Sequence, residues 1–304
     1  MSTTGVPQQT MTGLTDAAGG VQIGTSLPDD QGPSSVTAKR GGLSDYSGPI
    51  ATFVVFIGFW YLMSYWGLET LFDKPQFLLT PPHEVIDVSL TNDVVRDDLL
   101  HALLLSTRVA LIGLVIAIVV GMTLAIVMSQ ARWIEKSIWP YLVALQAIPI
   151  LAFVPLLGVL FGFGINTRII VCVIISLFPI VANTLFGLLS ADRGQHDLFT
   201  LHGASRSTRL LKLQLPAAMP AIFAGFRISA GLSVIGAIVG DTFFKQGDPG
   251  LGILIDRYRA RLNNPAMYGA VVLSALLGIA VFAFFGWLGH RIVGHWHEAT
   301  RKTG

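Results

Sequence analysis

The sequence predicts an all-α, polytopic membrane protein with about six membrane-crossing helices. Three observations carry that expectation. Of the 304 residues, 52% are hydrophobic and only 12% are charged, about half the charged share of a water-soluble domain, so too little polar surface exists to face water. The apolar residues fall in runs of about 20, the length of helix needed to cross a hydrocarbon core of about 30 Å. Those runs are separated by short stretches holding nearly all the Lys, Arg, Asp and Glu.

Residues 1–45 are rich in Gly, Ser, Thr, Pro and Gln without a sustained apolar run. Such a segment cannot bury enough apolar surface to offset its ordering entropy, and it is expected to be a disordered tail. It lacks the short apolar core of a signal peptide. Residues 46–294 form the membrane domain, with spans expected at about 49–66, 99–128, 138–163, 167–189, 217–244 and 266–293; 295–304 form a second tail. Tyr61, Tyr65 and Trp66 sit like an interfacial aromatic belt at the end of the first span. Pro149 and Pro155 interrupt the third.

Lys and Arg concentrate on the side reached by both chain ends: Lys39 and Arg40, Arg132 and Lys136, then Arg193, Arg206, Arg209 and Lys212, then Arg291, Arg301 and Lys302. By the positive-inside rule both termini are cytoplasmic. The segment Lys245–Pro265 is basic yet placed outside, and it is outvoted. The net charge of +2 gives no indication of nucleic-acid binding. Cys172, the single cysteine, cannot form an intrachain disulfide and reads as a buried small hydrophobe.

Between the fourth and fifth spans, Ser190–Pro216 is long, amphipathic and basic. Asp192 is placed to cap a helix through Leu201, with Leu198 and Leu201 either packed on the spans or offered to a partner. Gly203 supplies the positive φ that ends it. Ser205 or Ser207 caps a second helix through Leu213, which Pro216 ends. In the first external connection, Pro82 starts an amphipathic helix through Leu90, either a lid on the span ends or a docking surface.

This segment resembles the cytoplasmic signature of binding-protein-dependent ABC permeases: Glu-Ala-Ala, three residues, Gly, nine residues, Ile, one residue, Leu-Pro. Here Gly203 is followed after nine residues by Leu213-Gln214-Leu215-Pro216, and Asp197-Leu198-Phe199 stands for Glu-Ala-Ala. The stretches Ala147–Gly164, Leu177–Leu188 and Gly247–Ile255 are similar to the branch serving nitrate, sulfonate and taurine uptake, which includes permeases for thiamin and riboflavin precursors. The resemblance covers about Pro49–Val293.

It implies a type I ABC importer permease fold in a bacterial plasma membrane. It also implies a second permease, either another copy of this chain or a related one, with two ATPase subunits below and a solute-binding protein above. The chain has no GxxxxGK[ST] phosphate loop, so it is expected to bind no cofactor itself, with ATP and magnesium on the partner ATPase. By resemblance, Asp197, Phe199, His202, Gly203, Ala204, Leu213 and Pro216 form the ATPase-coupling segment. The solute is expected to be an anion such as a sulfonate, taurine or nitrate, or a vitamin-precursor heterocycle.

Polar groups and prolines inside spans are the path candidates: Gln146, Pro149, Pro155, Asn183 and Asp241. Gln146 and Asn183 either line a path or hydrogen-bond between helices. Asp241 caps a gate or pairs with Arg168. Arg227 reads as snorkelling from the cytoplasmic start of the fifth span. Arg257, Arg259 and Arg261 either concentrate an anionic solute or dock the binding protein. His290, His295 and His297 are not read as a metal site, because the last two do not share a helix face. The rival function, a gradient-driven secondary transporter or channel, predicts more intramembrane acids and explains neither Gly203 nor its spacing.

Overall fold

The computed structural model describes residues 47–301, with side chains through Gly294. The expected tails, 1–45 and 295–304, with Lys39, Arg40 and the side chains of His295 and His297, lie outside the described side chains. The described chain is 88% helical without strands. Its order is α1 (Ser47–Leu62), α2 (Leu68–Phe72), α3 (Pro82–Thr91), α4 (Asp93–Gln130), α5 (Arg132–Ala147), α6 (Ile150–Phe161), α7 (Ile165–Leu189), α8 (Arg193–Leu201), α9 (Arg206–Arg209), α10 (Leu215–Phe244), α11 (Leu251–Ala260) and α12 (Asn264–Arg301). A π turn, Met63–Gly67, joins α1 to α2, and another, Leu210–Gln214, joins α9 to α10. The compact unit comprises residues 52 onward, and residues 47–51 of the preceding unit are helical.

Among the described residues, five helices are long and apolar enough to cross a membrane: Ser47–Phe72, Asp93–Gln130, Ile165–Leu189, Arg206–Phe244 and Asn264–Gly294. The expected third span corresponds to the pair α5 and α6, bent by 99°, and counting that pair as one span gives six. The bend falls at Ile148–Pro149. A residue before proline avoids the α region, and Ile148 is extended (φ −68°, ψ 126°). Pro155, expected to interrupt as well, sits inside α6 without breaking it.

The core is the antiparallel pair α7 and α10. In lipid no hydrophobic drive joins helices, so close approach depends on small residues and hydrogen bonds. A Cβ on Gly236 would stand 2.9 Å from the Cys172 Cα, and one on Gly225 would stand 3.0 Å from the Pro179 carbonyl. Between these levels Ser176 Oγ donates to the Ser229 carbonyl (3.2 Å) and Ser229 Oγ donates to the Ser176 carbonyl (2.8 Å). Cys172 is buried, as its surroundings in the sequence suggest. α4 closes the third side, where Ser233 Oγ donates to the Ala110 carbonyl at 2.6 Å.

α1 packs differently. Its residues are apolar all round, and none is buried. It is held near its end by Trp60 Nε1 donating to the Thr80 carbonyl (3.1 Å) and Ser64 Oγ to the Leu79 carbonyl (2.5 Å). The expected helix after Pro82 is α3, and Asn92 caps the start of α4 by accepting from the Val95 N–H at 3.2 Å.

Candidate functional site

The two connections that flank α10 hold the residues of interest. At its start, Asp192 Oδ1 accepts from the Gly194 N–H (2.7 Å) and caps α8. Gly203 (φ +63°) ends α8 in a Schellman turn, in which the Gly203 N–H donates to the Thr200 carbonyl and the Ala204 N–H to the Phe199 carbonyl, both at 3.0 Å. Ser205, rather than Ser207, caps α9 by accepting from the Thr208 N–H at 3.2 Å. Arg209 Nη2 donates to Thr200 Oγ1 (3.0 Å) and ties the two short helices together.

Pro216 does not end the second helix. The chain runs on as one helix from Arg206 to Phe244. A proline ring presses on the carbonyl four residues back, which here belongs to Lys212. The π turn absorbs that conflict, with the Leu215 N–H reaching the Leu210 carbonyl. Leu213 is buried beneath this turn.

The apolar side chains of α8 contradict the view that they pack on the spans. Leu198 is 53% exposed and Leu201 85% exposed, and no residue of α8 is buried. Asp197 and His202 are exposed, while Phe199 and Ala204 are half-buried. His202 Nδ1 lies 2.9 Å from the Leu198 carbonyl. The result is a helix held by its own caps, presenting two leucines to whatever lies beyond the chain.

At the other end of α10 the bonds are long-range. Arg168 of α7 pairs with Asp241 of α10 at 2.7 Å, with side chains 2% and 1% exposed. The same guanidinium donates Nη1 to the Asp248 carbonyl (3.1 Å) and Nη2 to the Gln246 carbonyl. Ser106 Oγ of α4 donates to Asp241 Oδ2 (3.0 Å) and accepts from the Leu251 N–H (2.9 Å). Three helices and the Gln246–Leu251 loop therefore meet on one buried ion pair. A Cβ on Gly250 would collide with Asp241 Oδ2, and one on Gly252 with the Ile238 carbonyl. Only glycine lets this loop and the first turn of α11 seat so closely.

Beyond the loop, Arg257, Arg259 and Arg261 do not form one patch. They lie on α11 and its cap, where a step of two residues turns about 200°. Arg259 therefore points away from the other two and pairs with Asp256 at 2.6 Å. Lys245 Nζ also meets Asp256, at 2.5 Å. Hydrogen bonds from Lys245 and then from Arg259 hold the Asp256 carboxyl below the usual carboxylate range. Tyr258 is buried and donates to Asp98 Oδ2 at 3.3 Å. Burial first, then Asp98, pushes its hydroxyl up to about 12, so it stays protonated.

The five path candidates are not brought together. Asn183 is half-buried, and its Nδ2 donates to the Pro179 carbonyl (2.8 Å) of its own helix. Asp241 is enclosed at the level of Arg168, 15 residues along α7 from Asn183, or about 22 Å. Gln146, Pro149 and Pro155 are exposed on the bent pair α5–α6. The sequence reading missed Ser106, Gly250 and Gly252 as partners of the ion pair. Nothing near Ser106 in the sequence marks it.

Residues 113–294 match the family model described as the binding-protein-dependent transport system inner membrane component. The chain belongs to that family. It is 32% identical over 222 residues to the formylaminopyrimidine transport permease protein ThiX of Halalkalibacterium halodurans, covering 73% of this chain and 87% of that protein. It is 32% identical over 171 residues to the riboflavin transport system permease protein RibX of Chloroflexus aurantiacus, covering 56% and 63%. To the bicarbonate transport system permease protein CmpB of Synechococcus elongatus it is 31% identical over 183 residues, covering 60% and 65%. The permease is an integral inner membrane protein and the membrane subunit of an ABC importer for small solutes.

Proposed function

We propose that this permease carries a small solute across the membrane by moving with ATPase subunits that grip the α8–Gly203–α9 segment. One observation carries the reading: α8 exposes Leu198 and Leu201 while its polar ends are satisfied by its own caps. The family match supports it, since members of this family are components of binding-protein-dependent transport. In this reading Asp197, Phe199, His202, Gly203 and Ala204 meet an ATPase groove, and Leu213 and Pro216 join the segment to α10. ATP and magnesium are held by the ATPase, and this chain needs no cofactor.

The 190–216 end then faces the cytoplasm, with both termini on that side, in line with its basic residues. The solute-binding protein docks on the opposite face, where Arg257, Arg259 and Arg261 stand. Two copies of the permease enclose the path between them, with Gln146, Pro149, Pro155, Asn183 and Asp241 as its candidate polar and bent elements. The solute is an anion, in keeping with the bicarbonate named for CmpB, or a vitamin-precursor heterocycle, in keeping with the formylaminopyrimidine named for ThiX.

Affinity purification of the tagged permease from its own membrane, followed by identification of what accompanies it, tests the assembly. An ATPase subunit and a solute-binding protein are expected. Gradient-driven uptake by permease purified without any ATPase would establish the secondary-transporter reading instead.

A further inference from the structure

Arg227 stands in the wrong place for a snorkelling residue. It is the thirteenth residue of α10, about 18 Å along the helix from Leu215. Its neighbours fix its level: Ser229 meets Ser176, and Gly225 meets Pro179. These are the middle turns of α7, a 25-residue helix about 37 Å long. Arg227 therefore lies near the midplane of the membrane-crossing bundle rather than at its edge.

The side chain is held in place. Its guanidinium carbon lies 4.1 Å from the centre of the Phe282 ring on α12, a cation–π contact. Gly286 makes room for it, since a Cβ there would come within 3.2 Å of Nε. Among the described residues no carboxylate pairs with Arg227. The one intramembrane acid of α10, Asp241, is taken by Arg168.

α10 is also the most enclosed of the membrane-length helices, with 44% of its apolar window buried against 11% for Ser47–Phe72 and 17% for Asn264–Gly294. A strip of it still lies open, running through Ala224, Arg227 and Ile228. Beside Gly231 the space is empty, since a Cβ there would meet nothing within 4 Å. A guanidinium with no counter-ion facing acyl chains at mid-depth costs several kcal/mol, so such groups face water-filled cavities or charged partners.

We infer that Arg227 is the electropositive station of the translocation path, selecting for a solute that carries an anionic group such as a carboxylate, sulfonate or inorganic oxyanion. This rests on the path reading above and narrows its substrate class. Phe282 orients the guanidinium while leaving its N–H edge free to donate. A single unpaired positive charge in a low-dielectric groove concentrates anions and repels cations.

The test needs no knowledge of the natural solute. Ala224, three residues before Arg227 on the open strip, is replaced by cysteine in the complete transporter in membrane vesicles. The parent's one cysteine, Cys172, is buried, so parental labelling sets the background. Reaction rates are compared for two water-soluble thiosulfonates, one bearing a sulfonate and one a trimethylammonium group.

The expected result is that the anionic-to-cationic rate ratio falls about tenfold when Arg227→Gln is added, and is retained with Arg227→Lys. Failure of both reagents to reach Ala224→Cys would place the strip against lipid and overturn the inference. An unchanged ratio in Arg227→Gln would overturn it too. ATPase retained on the labelled variants separates either failure from failure of the importer reading itself.

Discussion

The two connections of α10 are built on opposite principles. The start, residues 190–216, is held by bonds between residues at most nine apart: Asp192 with Gly194, Ser205 with Thr208, Arg209 with Thr200. At the finish, the loop is seated by an ion pair and hydrogen bonds spanning 73 to 145 residues, converging on Arg168, Asp241 and Ser106. A locally bonded element keeps its shape while its outer face stays available and while it moves as a unit. An element bonded across the bundle is fixed relative to three helices at once. The permease therefore pairs a self-contained handle with a clamped rim.

Arg168→Ala leaves Asp241 buried and unpaired, and thermal unfolding in detergent should show a loss of about 3 to 5 kcal/mol. Replacing both by apolar residues, Arg168→Met with Asp241→Leu, should recover much of that loss. Gly252→Ala forces the start of α11 off the Ile238 carbonyl, and the same assay should report about 1 to 3 kcal/mol. On the handle, Gly203→Ala strains a residue at φ +63° by about 1 to 2 kcal/mol. Because the strain is local, hydrogen exchange should rise in 193–209 and not in α7.

The smallest effect belongs to Asp256→Asn, about 0.2 to 1 kcal/mol at neutral pH, since both cationic partners are exposed. Its sign with pH follows from the lowered carboxyl. The stabilisation is present above the unfolded-state value, near 3.9, and is lost as pH falls through the folded one. The stability gap between Asp256→Asn and the parent should therefore close only below about pH 4.

The handle was legible in the sequence because its signals are local. Asp192, Gly203 and Ser205 act on backbone groups two or three residues away, so spacing alone places the caps. The continuity through Pro216 was not legible, because a π turn has no residue signature. Pro149 marks the break in the third span, but the 99° angle is set by how α5 and α6 pack. The pairing of Arg168 with Asp241 was readable as an option, since few other charges lie in the spans. Ser106 was not, being 135 residues from its partner. The level of Arg227 along the bundle was not legible, because it depends on the α7–α10 register. The spacing of Arg257, Arg259 and Arg261 suggested a cluster that a helical turn separates.

Whether α8 is a handle for a partner rather than part of the packed bundle can be measured directly. Leu198→Asp with Leu201→Asp alters two exposed side chains. Thermal stability of the purified permease and the amount of ATPase that accompanies it would be measured together. A stability change within about 0.5 kcal/mol is expected, with the accompanying ATPase lost. A permease that keeps its ATPase, or one that unfolds, would show that α8 is not such a handle.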